Sequence, residues 1–73
     1  MRLVKNVCSG NRLISQEFQN EIISGPKAIV IQEIGQDNVY QFACTIPELV
    51  ELVRFIKERS LEAAPFRVEY KYE

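Results

Sequence analysis

Thr45-Ile46-Pro47-Glu48-Leu49 and, a short way on, Phe66-Arg67-Val68-Glu69-Tyr70-Lys71-Tyr72-Glu73 are the stretches whose reading decides the fold. The first is a helix start. Thr45 is a natural N-cap, Glu48 stands three residues later as the partner of a capping box, and Pro47 sits in the first turn, where a missing N–H costs nothing. Cys44 and Leu49 take the two positions of a hydrophobic staple. At 100° per residue, Leu49, Leu52, Val53, Ile56, Ile46, Val50 and Leu61 fall on one broad side with Ser60 and Lys57, which predicts an amphipathic helix from Ile46 to about Leu61. Glu48, Glu51, Arg54, Glu58, Arg59 and Glu62 take the opposite side. Phe55 lies among them, out of keeping with its neighbours.

The second stretch alternates apolar and charged residues without exception, the pattern of a half-buried strand. Phe66, Val68, Tyr70 and Tyr72 are expected to face the core, and Arg67, Glu69, Lys71 and Glu73 to face water. Ala63-Ala64-Pro65 separates this strand from the helix.

Upstream of the helix, Ala28 to Ile34 and Val39 to Cys44 are runs rich in β-branched and aromatic residues, joined by Gly35-Gln36-Asp37-Asn38, and read as an antiparallel hairpin. A further hairpin is expected near the start, with Leu3 to Cys8 and Arg12 to Ile14 flanking Ser9-Gly10-Asn11. Residues 15–24 are open to two readings. Ile14, Phe18 and Ile22 recur every four residues and Gly25-Pro26 could stop a helix, but a helix of under three turns is marginal without packing, which favours a continued, bulged strand. The expected architecture is a small α+β domain spanning 1–73: an antiparallel sheet in the order β-β-β-β-α-β, with one amphipathic helix on one face.

A chain of 73 residues with 47% hydrophobic and 26% charged residues has the composition of a folded domain with one core, not of a disordered segment. Domains this small often need a staple. Cys8 and Cys44 are the only cysteines and there is no His, so a zinc site within one chain lacks ligands. No apolar leader precedes Cys8 and no run approaches the roughly 18 apolar residues of a membrane span. The chain therefore reads as cytoplasmic with reduced thiols, without a membrane contact, and self-association is the staple left.

Catalytic chemistry finds little support. Without His, the usual base for a Ser or Cys nucleophile is missing. Cys44, next to a helix N-terminus where a thiolate can be favoured, is the best remaining nucleophile, although its staple position argues for burial. Glu48 with Glu51, and Glu58 with Glu62, lie on a charged helix face and read as solvated surface. Gly10, Gly25 and Gly35 stand alone, and none opens a phosphate-binding loop. No catalytic residue, metal ligand or cofactor-binding residue is assigned.

Two surfaces are candidates for protein contact. Phe55, with Arg54, Glu58 and Arg59 around it, could anchor a partner or could pack on a neighbouring loop or the Arg59 stem. In the last strand, pairing of two copies about Tyr70 would set Arg67 against Glu73 and Glu69 against Lys71, each an opposite-charge pair. Charge offers the alternative: residues 1–31 carry Arg2, Lys5, Arg12 and Lys27 against Glu17 and Glu21, a locally basic N-terminal hairpin in a chain of net charge −1. The expectation is a non-enzymatic protein-protein interaction or regulatory module, homodimeric, with an unidentified protein as partner. A single-stranded nucleic-acid binder using the basic hairpin is the alternative.

Overall fold

A computed structural model describes residues 6–72, with Asn6 described by its backbone alone. The elements are β1 (Asn6–Ser9), α1 (Gly10–Leu13), α2 (Gln16–Ile23), β2 (Ala28–Glu33), β3 (Tyr40–Ala43), α3 (Ile46–Glu58) and β4 (Pro65–Lys71). The strands form one antiparallel sheet in the order β1-β4-β2-β3. Each helical connection, from β1 to β2 and from β3 to β4, steps over one strand, and β2 and β3 form the expected hairpin.

The α+β class, the antiparallel sheet and a helix layer on one face are as the sequence suggests. The element order differs from the expectation in one region: residues 10–23 are not a returning strand but two short helices. Ser9 caps α1 by accepting from the Arg12 N–H at 3.4 Å, and Ser15 caps α2 by accepting from the Phe18 N–H at 3.2 Å. Too short to persist alone, these helices are held by burial of Leu13, Phe18 and Ile22 in the same core as Leu49, Leu52 and Ile56 of α3 and Ile29, Ile31, Phe66 and Val68 of the sheet. The expected N-terminal hairpin is thereby replaced: β1 pairs with β4, from Asn6 opposite Val68 to Ser9 opposite Pro65.

Gly10 shows why the chain turns where it does. Its N–H donates to the Ala64 carbonyl at 3.0 Å and the Asn11 N–H donates to the Glu62 carbonyl at 2.8 Å, so the start of α1 is pressed against the α3–β4 connection. A Cβ at Gly10 would lie 2.9 Å from the Leu61 carbonyl carbon and 3.0 Å from the Glu62 Cα, with the Leu61 carbonyl oxygen nearer still. Only glycine fits there, for reasons of approach and not of turn conformation. Gly35, by contrast, has φ +95° and serves the β2–β3 turn as expected.

Helix α3 begins at Ile46 with Pro in its first turn, but Thr45 makes no side-chain cap bond, so the capping box is not formed. The helix ends at Glu58, short of the expected Leu61. The Leu61 N–H donates to the Ile56 carbonyl at 2.9 Å and the Ser60 N–H to the Lys57 carbonyl at 3.2 Å, with Ser60 at φ 55°. This is a Schellman closure with a serine in the left-handed position usually held by glycine.

The helix is also rotated from the orientation its apolar arc suggests. Leu49, Leu52 and Ile56 are buried, yet Ile46 is 67% exposed and Val50 53% exposed, while Phe55 is drawn half inside. In β4, Phe66 and Val68 are buried and Tyr70 half-buried as expected, but Tyr72 lies beyond the strand and is 67% exposed.

Candidate functional site

Phe55 is the residue around which a site can be built. Its ring lies 4.7 Å, centroid to centroid, from Tyr40 and 6.1 Å from Phe42, tilted by 53° and 58°. The Arg59 guanidinium, one turn along α3, sits 4.8 Å from the Phe55 centroid. Each aromatic contact is worth about 0.5–1.5 kcal/mol beyond area burial, and an exposed cation–π contact about 0.5–1. Tyr40 and Phe42 project from the helix side of β3, because they stand opposite Ile31 and Ile29 in the ladder. Phe55 is in this way turned toward the sheet, while Ile46 and Val50 are left exposed.

Beside Phe55 opens a cleft of about 210 Å³, bounded by Tyr40, Arg59, Glu33, Asn38 and Leu61. It is smaller than the roughly 300 Å³ at which pockets for small organic ligands begin. Of the four residues grouped by sequence, the structure brings Phe55 and Arg59 together. Arg54 and Glu58 are exposed on the outer side of the helix, where Arg54 lies 3.7 Å from Glu51 in an exposed ion pair. Tyr40 is the member that sequence reading missed; its signal was the matching aromatic pair Tyr40 and Phe42 on one face of the hairpin.

The β4 charges fall differently from the expectation. β4 is an inner strand: Arg67 stands opposite Val7 on one side and Gln32 on the other, and β1 occupies the edge from Pro65 to Val68. Antiparallel pairing of two β4 strands about Tyr70 needs that edge, so it is closed. Arg67, Glu69 and Lys71 instead line the sheet face away from the helices, and Glu73 lies outside the described residues, as do Arg2 and Lys5.

Arg12 is on α1, not on a hairpin. It is bonded to Glu21 at 3.2 Å and lies 5.5 Å from the centroid of Phe18, which fixes it against α2. Lys27 is exposed before β2, its N–H donating to the Lys71 carbonyl at 2.8 Å. Of the described basic residues, Arg12 on α1 and Lys27 before β2 are therefore not aligned on one hairpin. Arg12, Glu21, Cys8 and Tyr70 border a second hollow, of about 340 Å³.

Cys8 and Cys44 are free thiols. Cys8 is on the β1 edge of the sheet and Cys44 follows β3 at the opposite edge, so three strand spacings of about 4.8 Å separate them and no intrachain disulfide is possible. Burial pushes both thiols above their ordinary value of 9.0, with Arg12 partly offsetting the effect at Cys8. At Cys44 desolvation is the cause, and it acts against the thiolate that a nucleophile needs. Burial likewise raises the Tyr70 hydroxyl, helped by Glu21. Among the described residues no three His, Cys, Asp or Glu side chains gather to hold a metal, and no helix is long and apolar enough to cross a membrane.

Comparison with family models, with curated proteins and with solved structures gave no match for this chain.

Proposed function

We propose that this chain is a non-enzymatic protein-interaction module that works as a homodimer in the reducing cytoplasm and engages proteins through the outer face of α3 and the sheet rim beside it. One observation carries the reading: a half-buried Phe55 in contact with both Tyr40 and Arg59 at the rim of the sheet. Aromatic and arginine side chains already held in place lose little entropy when a partner closes over them, which is why such groups anchor interfaces. The nucleic-acid alternative loses its scaffold, since the hairpin is replaced by α1 and Arg12 is engaged by Glu21.

Sedimentation equilibrium of the wild type and of Phe55→Glu, each at low and high salt, tests the proposal. A wild-type dimer that Phe55→Glu turns into a monomer, with unchanged far-ultraviolet dichroism, is the expected result. A monomeric wild type refutes the homodimer, and a salt-insensitive dimer unaffected by Phe55→Glu moves the interaction surface off α3.

A further inference from the structure

Within this reading of a homodimeric module, we infer that the seam is β3, paired antiparallel with the β3 of a second copy about a two-fold axis at Gln41, so that the two sheets run on as one.

β3 has a single neighbour. Its outer edge is open among the described residues, and the residues of the strand, Tyr40-Gln41-Phe42-Ala43, include no charge and no proline to discourage pairing. The ladder fixes which backbone groups are free. The Cys44 N–H donates to the Lys27 carbonyl at 2.9 Å, which continues the register of Ala43 opposite Ala28. In an antiparallel ladder, bonding alternates, so Cys44, Phe42 and Tyr40 direct their backbone groups toward β2. Gln41 and Ala43 direct theirs outward. By the same alternation Val39, which is 56% exposed, continues the outward set.

A two-fold axis at Gln41 uses all three. Gln41 exchanges bonds with its own copy, and Val39 does so with Ala43 of the second copy. On the helix side the same register sets Tyr40 opposite Phe42 of the second copy, joining each half-buried aromatic group to its counterpart. The strand meets itself in this register without a charge at any position and pairs Tyr40 with Phe42 twice, which favours a second copy over an unrelated strand.

Gln41→Pro isolates the seam. It deletes an N–H that points away from β2, the edge position at which proline is tolerated in a sheet. The full chain carrying Gln41→Pro should keep its dichroism and cooperative melting while its dimer weakens by about tenfold or more in sedimentation equilibrium, since the two-fold axis loses the bond twice. Gln41→Cys, made with Cys8→Ser and Cys44→Ser, should oxidise to a covalent dimer, because the two thiols face each other across the axis. A wild-type dimer in which Gln41→Pro leaves association unchanged and Gln41→Cys fails to cross-link overturns the β3 seam while leaving the homodimeric reading in place. A monomeric wild type overturns both. Should Gln41→Pro fail to fold, the cross-linking result decides.

Discussion

Replacing Gly10 by alanine places a methyl group where there is no room for one. The added Cβ would stand 2.9 Å from the Leu61 carbonyl carbon and 3.0 Å from the Glu62 Cα, and closer still to the Leu61 oxygen. These are backbone atoms, held in place by the Leu61 N–H to Ile56 carbonyl bond at 2.9 Å and the Ala64 N–H to Leu61 carbonyl bond at 3.1 Å. Relief requires α1 to back away, which breaks or stretches the Gly10–Ala64 and Asn11–Glu62 bonds. Two such bonds contribute about 1 kcal/mol each, and overpacking of a close contact costs about 1–3 kcal/mol. Alanine returns about 0.5–1 kcal/mol through a less flexible unfolded chain. The net loss is about 2–4 kcal/mol, a large part of the roughly 4–11 kcal/mol expected for a domain of this length. Urea unfolding followed by dichroism measures it. Gly25→Ala is the control, because its Cβ would meet only the Glu21 carbonyl at an ordinary 3.6 Å and φ there is not positive; it should change stability by less than about 0.5 kcal/mol. A Gly10→Ala midpoint as close to wild type as that of Gly25→Ala refutes the close-approach argument.

Ser60→Gly should stabilise the protein by about 1 kcal/mol, raising the melting temperature by roughly 4–8 °C, because the Schellman closure holds Ser60 at φ 55°; an unchanged or lower melting temperature contradicts this. Phe55→Ala should cost about 2 kcal/mol by removing its packing on Tyr40 and Phe42, read as a shift in the urea midpoint that does not change with protein concentration, so that association does not contribute. Stability should fall as pH rises above about 9: the unfolded chain releases the Cys8 and Cys44 protons near the ordinary value, whereas the folded chain, with both thiols raised, retains them, and the loss continues as pH climbs toward the folded values. Urea midpoints at about pH 8 and about pH 10 check the sign, and Cys8→Ser with Cys44→Ala should flatten the dependence to what Tyr70 contributes. Gln19→Met should be neutral or stabilising by up to about 1 kcal/mol in thermal melts, since the Gln19 Nε2 is buried without a hydrogen-bond partner.

The candidate site was half legible. Phe55 is conspicuous because it breaks the charged side of an otherwise regular amphipathic helix, and Arg59 follows from the one-turn spacing. Tyr40 could not be joined to them from the sequence, since cross-element contacts depend on how α3 is rotated over the sheet. In the fold Phe55 packs on Tyr40 and Phe42 while Ile46 and Val50 stay exposed, and a sequence arc alone does not weigh the two arrangements. The β4 charges illustrate the same limit. Their alternation correctly separates Phe66 and Val68 from Arg67 and Lys71, but whether the strand has a free edge depends on its neighbours.

What the sequence determined by itself are the features written in local spacing: the start of α3 at Ile46, the β2–β3 hairpin with its turn at Gly35, the two faces of β4, and membership of the α+β class. These follow from the two-residue period of strands, the helical repeat and the conformational freedom of glycine, all of which act over a few residues. Tertiary structure decided the helical state of residues 10–23, the order β1-β4-β2-β3 and the exposure of Ile46. An eight-residue helix such as α2 lacks the hydrogen bonds to overcome its own nucleation, so burial of Phe18 and Ile22 against distant strands settled its conformation. Gly10 belongs to the same class, because its requirement comes from the Leu61–Glu62 backbone, far away in sequence and in contact only once the fold has closed.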